Sequence, residues 1–171
     1  GNDTYDGGDP SPSAPYSWSE RDYMHYDDDP SGVTVDLSQE NENGEVTVTD
    51  GYGDTDTLIN IEHLYGSEYA DTLIGNADNN ILRGLGGDDI LNGGDGWDMV
   101  GYNQASSGVV VNLVEGTATG AEGNDTLISI EDIKGSEFDD TLIGDENSNA
   151  FHPRGGDDIV DGGDGWDTAK Y

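Results

Sequence analysis

Acidic side chains recur in this chain at a spacing that can gather them. From Gly66 the sequence cuts into nines, GSEYADTLI, GNADNNILR, GLGGDDILN and GGDGWDMVG, whose sixth places are Asp71, Asn80, Asp89 and Asp98. A second run from Gly135 reads GSEFDDTLI, GDENSNAFH, PRGGDDIVD and GGDGWDTAK, with Asp140, Asn149, Asp158 and Asp167 in the same place. Glycine opens almost every nine, as Gly66, Gly75, Gly84 and Gly93, then Gly135, Gly144 and Gly162. It recurs inside the turns as Gly86, Gly87, Gly94 and Gly96, and again as Gly155, Gly156, Gly163 and Gly165. If two nines make one coil, sixth-place side chains 18 residues apart face each other: Asp71 with Asp89, Asn80 with Asp98, Asp140 with Asp158, and Asn149 with Asp167. Carbonyls of the open turns would surround the same points. Such all-oxygen sites, with roughly six to eight ligands, suit Ca²⁺ and suit Mg²⁺ poorly, because Mg²⁺ demands tight octahedral geometry. At least four calcium ions are expected, roughly one per pair. Without a cation the facing carboxylates repel, so binding and folding should be one event. Asn80 and Asn149 are neutral, which should weaken the second edge.

The elements that position these groups follow from the same pattern. The first six residues of each nine form a turn, with glycine wherever φ is positive. Asn76, Asp78, Asp145 and Asn147 are its expected substitutes there, and Asp95 and Asp164 flank the turn glycines. The last three residues, such as Thr72-Leu73-Ile74, form a short strand whose middle side chain points inward. The expected fold class is all-β: a right-handed parallel β-roll, or β-solenoid, in tandem blocks with short antiparallel linker strands.

Three stretches organise the chain: residues 1–26, 27–102 and 103–171. The first reads as the end of an upstream block, since GNDTYD matches the last six places of a nine, with Asp3 sixth. Asp22 and Tyr26 repeat the spacing of Asp98 with Tyr102 and of Asp167 with Tyr171. Pro10–Arg21, rich in proline and serine, interrupts this turn and reads as an exposed loop. Each later block opens on alternating apolar residues, Val33, Val35 and Leu37 or Val109, Val111 and Leu113. Asn43-Gly44, followed by Val46 and Val48, predicts a hairpin from Val33 to Thr49. The second block, with a shorter connection, is expected to lack it. Two isolated nines follow, GYGDTDTLI and GAEGNDTLI. Through Gly51, Gly53 and Asp56, and through Gly120, Gly123 and Asp125, they are expected to extend the first edge of each block by one more site. Trp97 and Trp166, in the last turn of each block, are expected to cover the end of each roll.

Composition sets limits. Asp and Glu number 38 against 5 Lys and Arg, for a net charge of -33. Leu, Ile, Val and Phe make up about a fifth of the chain. That combination belongs to disordered chains, whereas the fixed period belongs to a definite fold; divalent cations reconcile the two. There is no cysteine, hence no disulfide framework and no thiolate metal site. No apolar run approaches the ~20 residues of a membrane span. The acidity argues against nucleic acid and anionic membranes as partners. No cleft-forming element accompanies the carboxylates, so no catalytic residues are expected. The chain begins inside a repeat and reads as a piece of a longer array.

The nonapeptides resemble the RTX (repeats-in-toxin, haemolysin-type) family of secreted Gram-negative proteins. The block layout is similar to that of the RTX region of adenylate cyclase toxin: Gly93–Asp98 with Tyr102, then Val109–Glu122, then Ile130–Gly135. The resemblance implies export by type I secretion machinery in an unfolded state, with folding outside the cell on meeting calcium. It implies a secreted or cell-surface segment that extends a toxin or adhesin. The alternative is an adhesin segment that itself binds a host-cell surface glycan or protein.

Overall fold

Strand triplets separated by turns of six should pair at an interval of one coil, and they do. A computed structural model describes residues 1–8, 22–120 and 122–171; the Pro10–Arg21 expectation lies outside them. Thr72 pairs with Ile90, and Ile81 with Met99, each 18 residues on. The strands form two sheets facing one core. The first has 11 strands, in the spatial order Thr4–Asp6, Thr55–Ile59, Glu45–Thr49, Thr34–Asp36, Thr72–Ile74, Ile90–Asn92, Gly123–Ile128, Thr117–Gly120, Val110–Asn112, Thr141–Ile143, Ile159–Asp161. The second has 7, all parallel: Tyr23–His25, His63–Tyr65, Ile81–Arg83, Met99–Gly101, Asp132–Lys134, Ala150–His152, Thr168–Ala169. The protein is an all-β parallel β-roll.

The middle residue of each triplet points inward, as the alternation of a strand requires. Leu73, Leu82, Leu91, Val100, Ile133 and Leu142 are all fully buried and stack into one ladder with Phe151. Burying such a side chain contributes roughly 1.5–3 kcal/mol.

Antiparallel strands enter only the first sheet, and here the structure corrects the sequence reading twice. The main partner of Glu45–Thr49 is Thr55–Ile59, through five residue pairs from Glu45↔Ile59 to Thr49↔Thr55. Its pairing with Thr34–Asp36 is the single contact Thr34↔Thr49, because a 3-10 turn at Leu37–Gln39 breaks the expected hairpin. The turn beyond spans Asn41 to Gly44, whose N–H donates to the Asn41 carbonyl. The second block has its own meander: Val110–Asn112 pairs with Thr117–Gly120, which pairs with Gly123–Ile128. The shorter connection tightens the meander and does not remove it. Gly51 and Gly53 therefore lie in a hairpin turn closed by the Gly53 N–H on the Asp50 carbonyl. Gly120 and Gly123 face each other at the end of another hairpin.

Two local expectations also change. Asn76, Asp78, Asp145 and Asn147 do not take positive φ. The Asn76 and Asp145 side chains instead accept the N–H groups of Asp78 and Asn147, a turn closed by side chain rather than by left-handed backbone. Among non-glycine residues the left-handed positions fall on Asn60 and Ser129, and on Leu85 (φ 71°) and Arg154 (φ 78°), the last two at the second place of a turn. Trp166 stands 89% exposed and does not cover the end of its block, whereas Trp97 is half-buried. Tyr26 and Tyr102 are buried members of the core, while Tyr171 is exposed.

A left-handed residue with a Cβ costs about 1–2 kcal/mol, against about 0.5–1 kcal/mol for the extra entropy of glycine. Leu85→Gly should thus stabilise the calcium-loaded roll by about 0.5–1 kcal/mol, read as a small rise in Tm at saturating calcium. A fall in Tm would mean that Leu85 packing outweighs the strain.

Candidate metal centre

Because the coils are in register, the sixth-place side chains form columns along each edge of the roll. The Asp71 N–H donates to Asp89 Oδ1 at 2.8 Å, and the Asp89 N–H donates to Asp125 Oδ1 at 3.1 Å. On the other edge the Asn80 N–H meets Asp98 Oδ1 at 2.7 Å, and the Asn149 N–H meets Asp167 Oδ1 at 2.9 Å. Asp140 and Asp158 repeat the contact at 3.0 Å. All four expected pairs are thus adjacent. Arg154 and Pro153 do not disrupt the last one: Arg154 keeps the left-handed backbone of Leu85 and pairs with Glu137.

Asp56 and Asp125 are brought elsewhere than expected. Asp125 continues the column of Asp71 and Asp89, since Thr126 pairs with Ile90. It does not adjoin Asp140, because two strands of the meander intervene. Asp56 is likewise separated from Asp71 and accepts the Asp3 N–H at 3.0 Å. The meander reverses the order of strands between blocks, so each isolated nine completes the preceding column.

Two residues of the columns were missed. Glu62 Oε2 accepts the Asp22 N–H at 3.1 Å, and Glu131 Oε2 accepts the Asp98 N–H at 2.9 Å. Both stand 18 residues before an expected ligand, Asn80 and Asn149. That interval was the available signal; the longer side chain, absent from the nonapeptide pattern, hid it.

The turn glycines that open each nine leave space for these carboxylates. A Cβ on Gly84 would collide with Asp89 Oδ2, and one on Gly75 with Asn80 Oδ1 and the Gly93 carbonyl. Asp78, Asp95, Asn147 and Asp164 are exposed at the turn surface.

The carboxylates are not equally satisfied. Asp71 accepts from the Val33 and Ser67 N–H groups and the Ser67 hydroxyl, and Asp140 does the same from Val109 and Ser136. Asp89 differs. Its Oδ2 is buried without a hydrogen-bond partner among the described residues. Burial, followed by the charges of Asp125, Asp71 and Asp88, pushes its carboxyl up to about 7, although the Asp71 N–H partly opposes this. Glu122 nearby is also raised to about 7, by burial and then by Glu68 and Asp125. Asp125 is raised by burial, with the Tyr102 hydroxyl donating to its Oδ2 at 2.8 Å and lowering it in part. A buried carboxylate oxygen with an unmet lone pair, next to a second carboxylate, fits a hard divalent cation. Among the described residues no three Asp, Glu or His side chains close on one point. A cation there would complete its shell with turn carbonyls.

A model of the family described as RTX calcium-binding nonapeptide repeat matches residues 65–100 and 130–159, in four copies. These segments are RTX calcium-binding nonapeptide repeats. RTX nonapeptide repeats bind calcium. Compared with curated proteins, the chain has no match. Both RTX segments lie within the stacked coils just described; one meander precedes the first segment and the other lies between the two.

Two outcomes follow from the columns. A carboxyl whose folded pKa is raised contributes stability to the metal-free fold that is fully present at low pH and lost as pH rises through about 7. In chelator, β-structure should therefore grow as pH falls from about 8 to about 5, while protons compete with calcium and raise its midpoint by up to about tenfold per pH unit. Circular dichroism against pH, with and without calcium, reads both. Glu131→Gln should raise the calcium midpoint several-fold, whereas the exposed Glu115→Gln should not; equal midpoints would remove Glu131 from the site.

Proposed function

We propose that this chain is a calcium-folded structural segment of a large secreted or cell-surface protein of a Gram-negative bacterium. It crosses a type I secretion channel unfolded and folds outside, extending a toxin or adhesin. The observation that carries this reading is the column Asp71, Asp89 and Asp125, all buried, with an Asp89 oxygen unmet. In a chain of net charge -33, such columns are stable at neutral pH only when a cation offsets them. In the cell, where free calcium is scarce, the same repulsion keeps the chain open for export. Each paired site takes one ion, at least four in all, through Asp56, Asp71, Asp89, Asp98, Asp125, Asp140, Asp158 and Asp167 with the turn carbonyls. The role is structural, without catalysis.

Far-UV circular dichroism of the chain, titrated separately with Ca²⁺ and Mg²⁺, tests this. The expected result is a disordered spectrum in chelator at neutral pH. Cooperative β-structure should follow as Ca²⁺ rises toward about 10⁻⁴–10⁻³ M, the range of extracellular calcium modules, with no substitution by Mg²⁺. A fully β spectrum in chelator, unchanged by calcium, would overturn it.

A further inference from the structure

The outer face of the seven-stranded sheet gathers positive charge, and gathers it in a line. Strand register sets His25, Tyr65, Arg83, Gly101, Lys134 and His152 side by side, one per strand. Lys170 follows, its N–H on the Phe151 carbonyl at 2.9 Å. With 5 Lys and Arg among 38 Asp and Glu, any cation of this chain could readily meet a carboxylate. Among the described residues, Arg154 does so with Glu137, but Arg83, Lys134 and Lys170 form no ion pair. The strands of this sheet contain one carboxylate, Asp132, which is buried 3.3 Å from His152.

Arg83 is held in position. Its guanidinium carbon lies 4.3 Å from the centre of the Tyr65 ring. Its side chain crosses Gly101, where a Cβ would approach Nε to 3.0 Å. The glycine thus makes room for the arginine to lie along the row toward Lys134. Arg83 Nε is buried and meets no hydrogen-bond partner among the described residues. Burial lowers both Arg83 and Lys134 from their ordinary values; Tyr65 and Tyr23 partly oppose this at Arg83, and at Lys134 the charges of Arg83 and Arg154 add to it while Asp132 opposes it. Half-buried cations near one another, with no carboxylate at ion-pair distance and Asp132 turned to His152, are costly unless an anion completes them. At the N-terminal end of the row, Tyr23 is 44% exposed and packs 5.4 Å from Tyr65, and His25 lies 4.2 Å from the same ring.

We propose that this row binds a linear acidic polysaccharide, with its carboxylate or sulfate groups on Arg83, Lys134 and Lys170 and its sugar faces on Tyr23 and His25. Strands are spaced about 4.8 Å apart, close to the length of one sugar residue, so a polyanion lying along the roll meets a cation at regular intervals. An extended acidic peptide repeats its side chains on one face at about 7 Å and falls out of step. The guanidinium offers paired donors to a planar carboxylate or a sulfate. The acidic columns lie at the edges of the roll, and at physiological salt charges beyond about 8 Å are largely screened.

The test is calorimetric titration of the chain at saturating calcium with polygalacturonate and heparin-derived oligosaccharides, a neutral dextran oligosaccharide, and poly-glutamate. One or both acidic oligosaccharides should bind, more weakly as salt rises, and the dextran should not. Arg83→Gln with Lys134→Gln should weaken binding at least tenfold while the calcium-induced spectrum is unchanged. Thr126→Ala on the other sheet should have no effect. Should the double variant misfold, Lys170→Gln at the exposed end of the row carries the test, with a several-fold loss expected. Absence of acidic oligosaccharide binding, or binding that survives these substitutions, overturns the proposal. Equally tight binding of poly-glutamate with the same dependence also overturns it, in favour of an acidic protein. Because all titrations use calcium-folded protein, failure here leaves the calcium reading untouched.

Discussion

The contact that the whole roll depends on is a backbone N–H at the sixth place of a turn donating to a carboxylate at the same place one coil on. It fixes the register of adjacent turns, and it draws acidic groups into a buried column. The same contact is therefore both the staple of the coil and the source of its repulsion. Backbone donors satisfy both oxygens of Asp71 and of Asp140 but only one of Asp89, whose other oxygen is unmet, so the column is incomplete as protein alone. Two devices limit the cost. Serine hydroxyls at Ser67 and Ser136 quench the carboxylates nearest the meanders, and Asn80 and Asn149 remove charge from the second edge.

Against this stands a narrow apolar ladder with one inward residue per triplet. It is continuous from Met24 to Phe151, across both meanders. The meanders add strands to one sheet only, leaving the seven-stranded sheet an unbroken parallel ladder. The uninterrupted face is the one on which the cationic row forms. Continuity on that side follows from the two Glu-bearing segments, whose Glu62 and Glu131 replace a full turn and keep the column in step.

Much of this was legible in the sequence. The 18-residue coil, the inward leucines and the four adjacent pairs all follow from the phase of the nonapeptides. What was not legible is where similar residues serve different geometry. GYGDTDTLI reads as a roll turn, yet its glycines turn a hairpin, because Val46 and Val48 offer that segment an antiparallel partner. Nothing within the nine distinguishes the two outcomes. Asn76 and Asp145 could substitute for glycine on propensity, but a side chain that hydrogen-bonds two residues on removes the need. Leu85 and Arg154 carry left-handed backbone against the preference of residues with a Cβ, which no propensity predicts. The cationic row depends on pairing between residues far apart in sequence, such as Gly101 with Lys134.

The staple has a sense. In every case the donor belongs to the earlier coil and the acceptor to the later one: Asp3 to Asp56, Asp22 to Glu62, Val33 to Asp71, Asp98 to Glu131, Asn149 to Asp167. The strand bonds between coils run both ways, from Gly66 on to the Arg83 carbonyl and from Ile90 back to the Asp71 carbonyl, so they carry no such sense. The direction of the roll lies in its sixth-place side chains alone: each one caps the coil before it, and a coil with no successor lacks a carboxylate for its own sixth-place N–H.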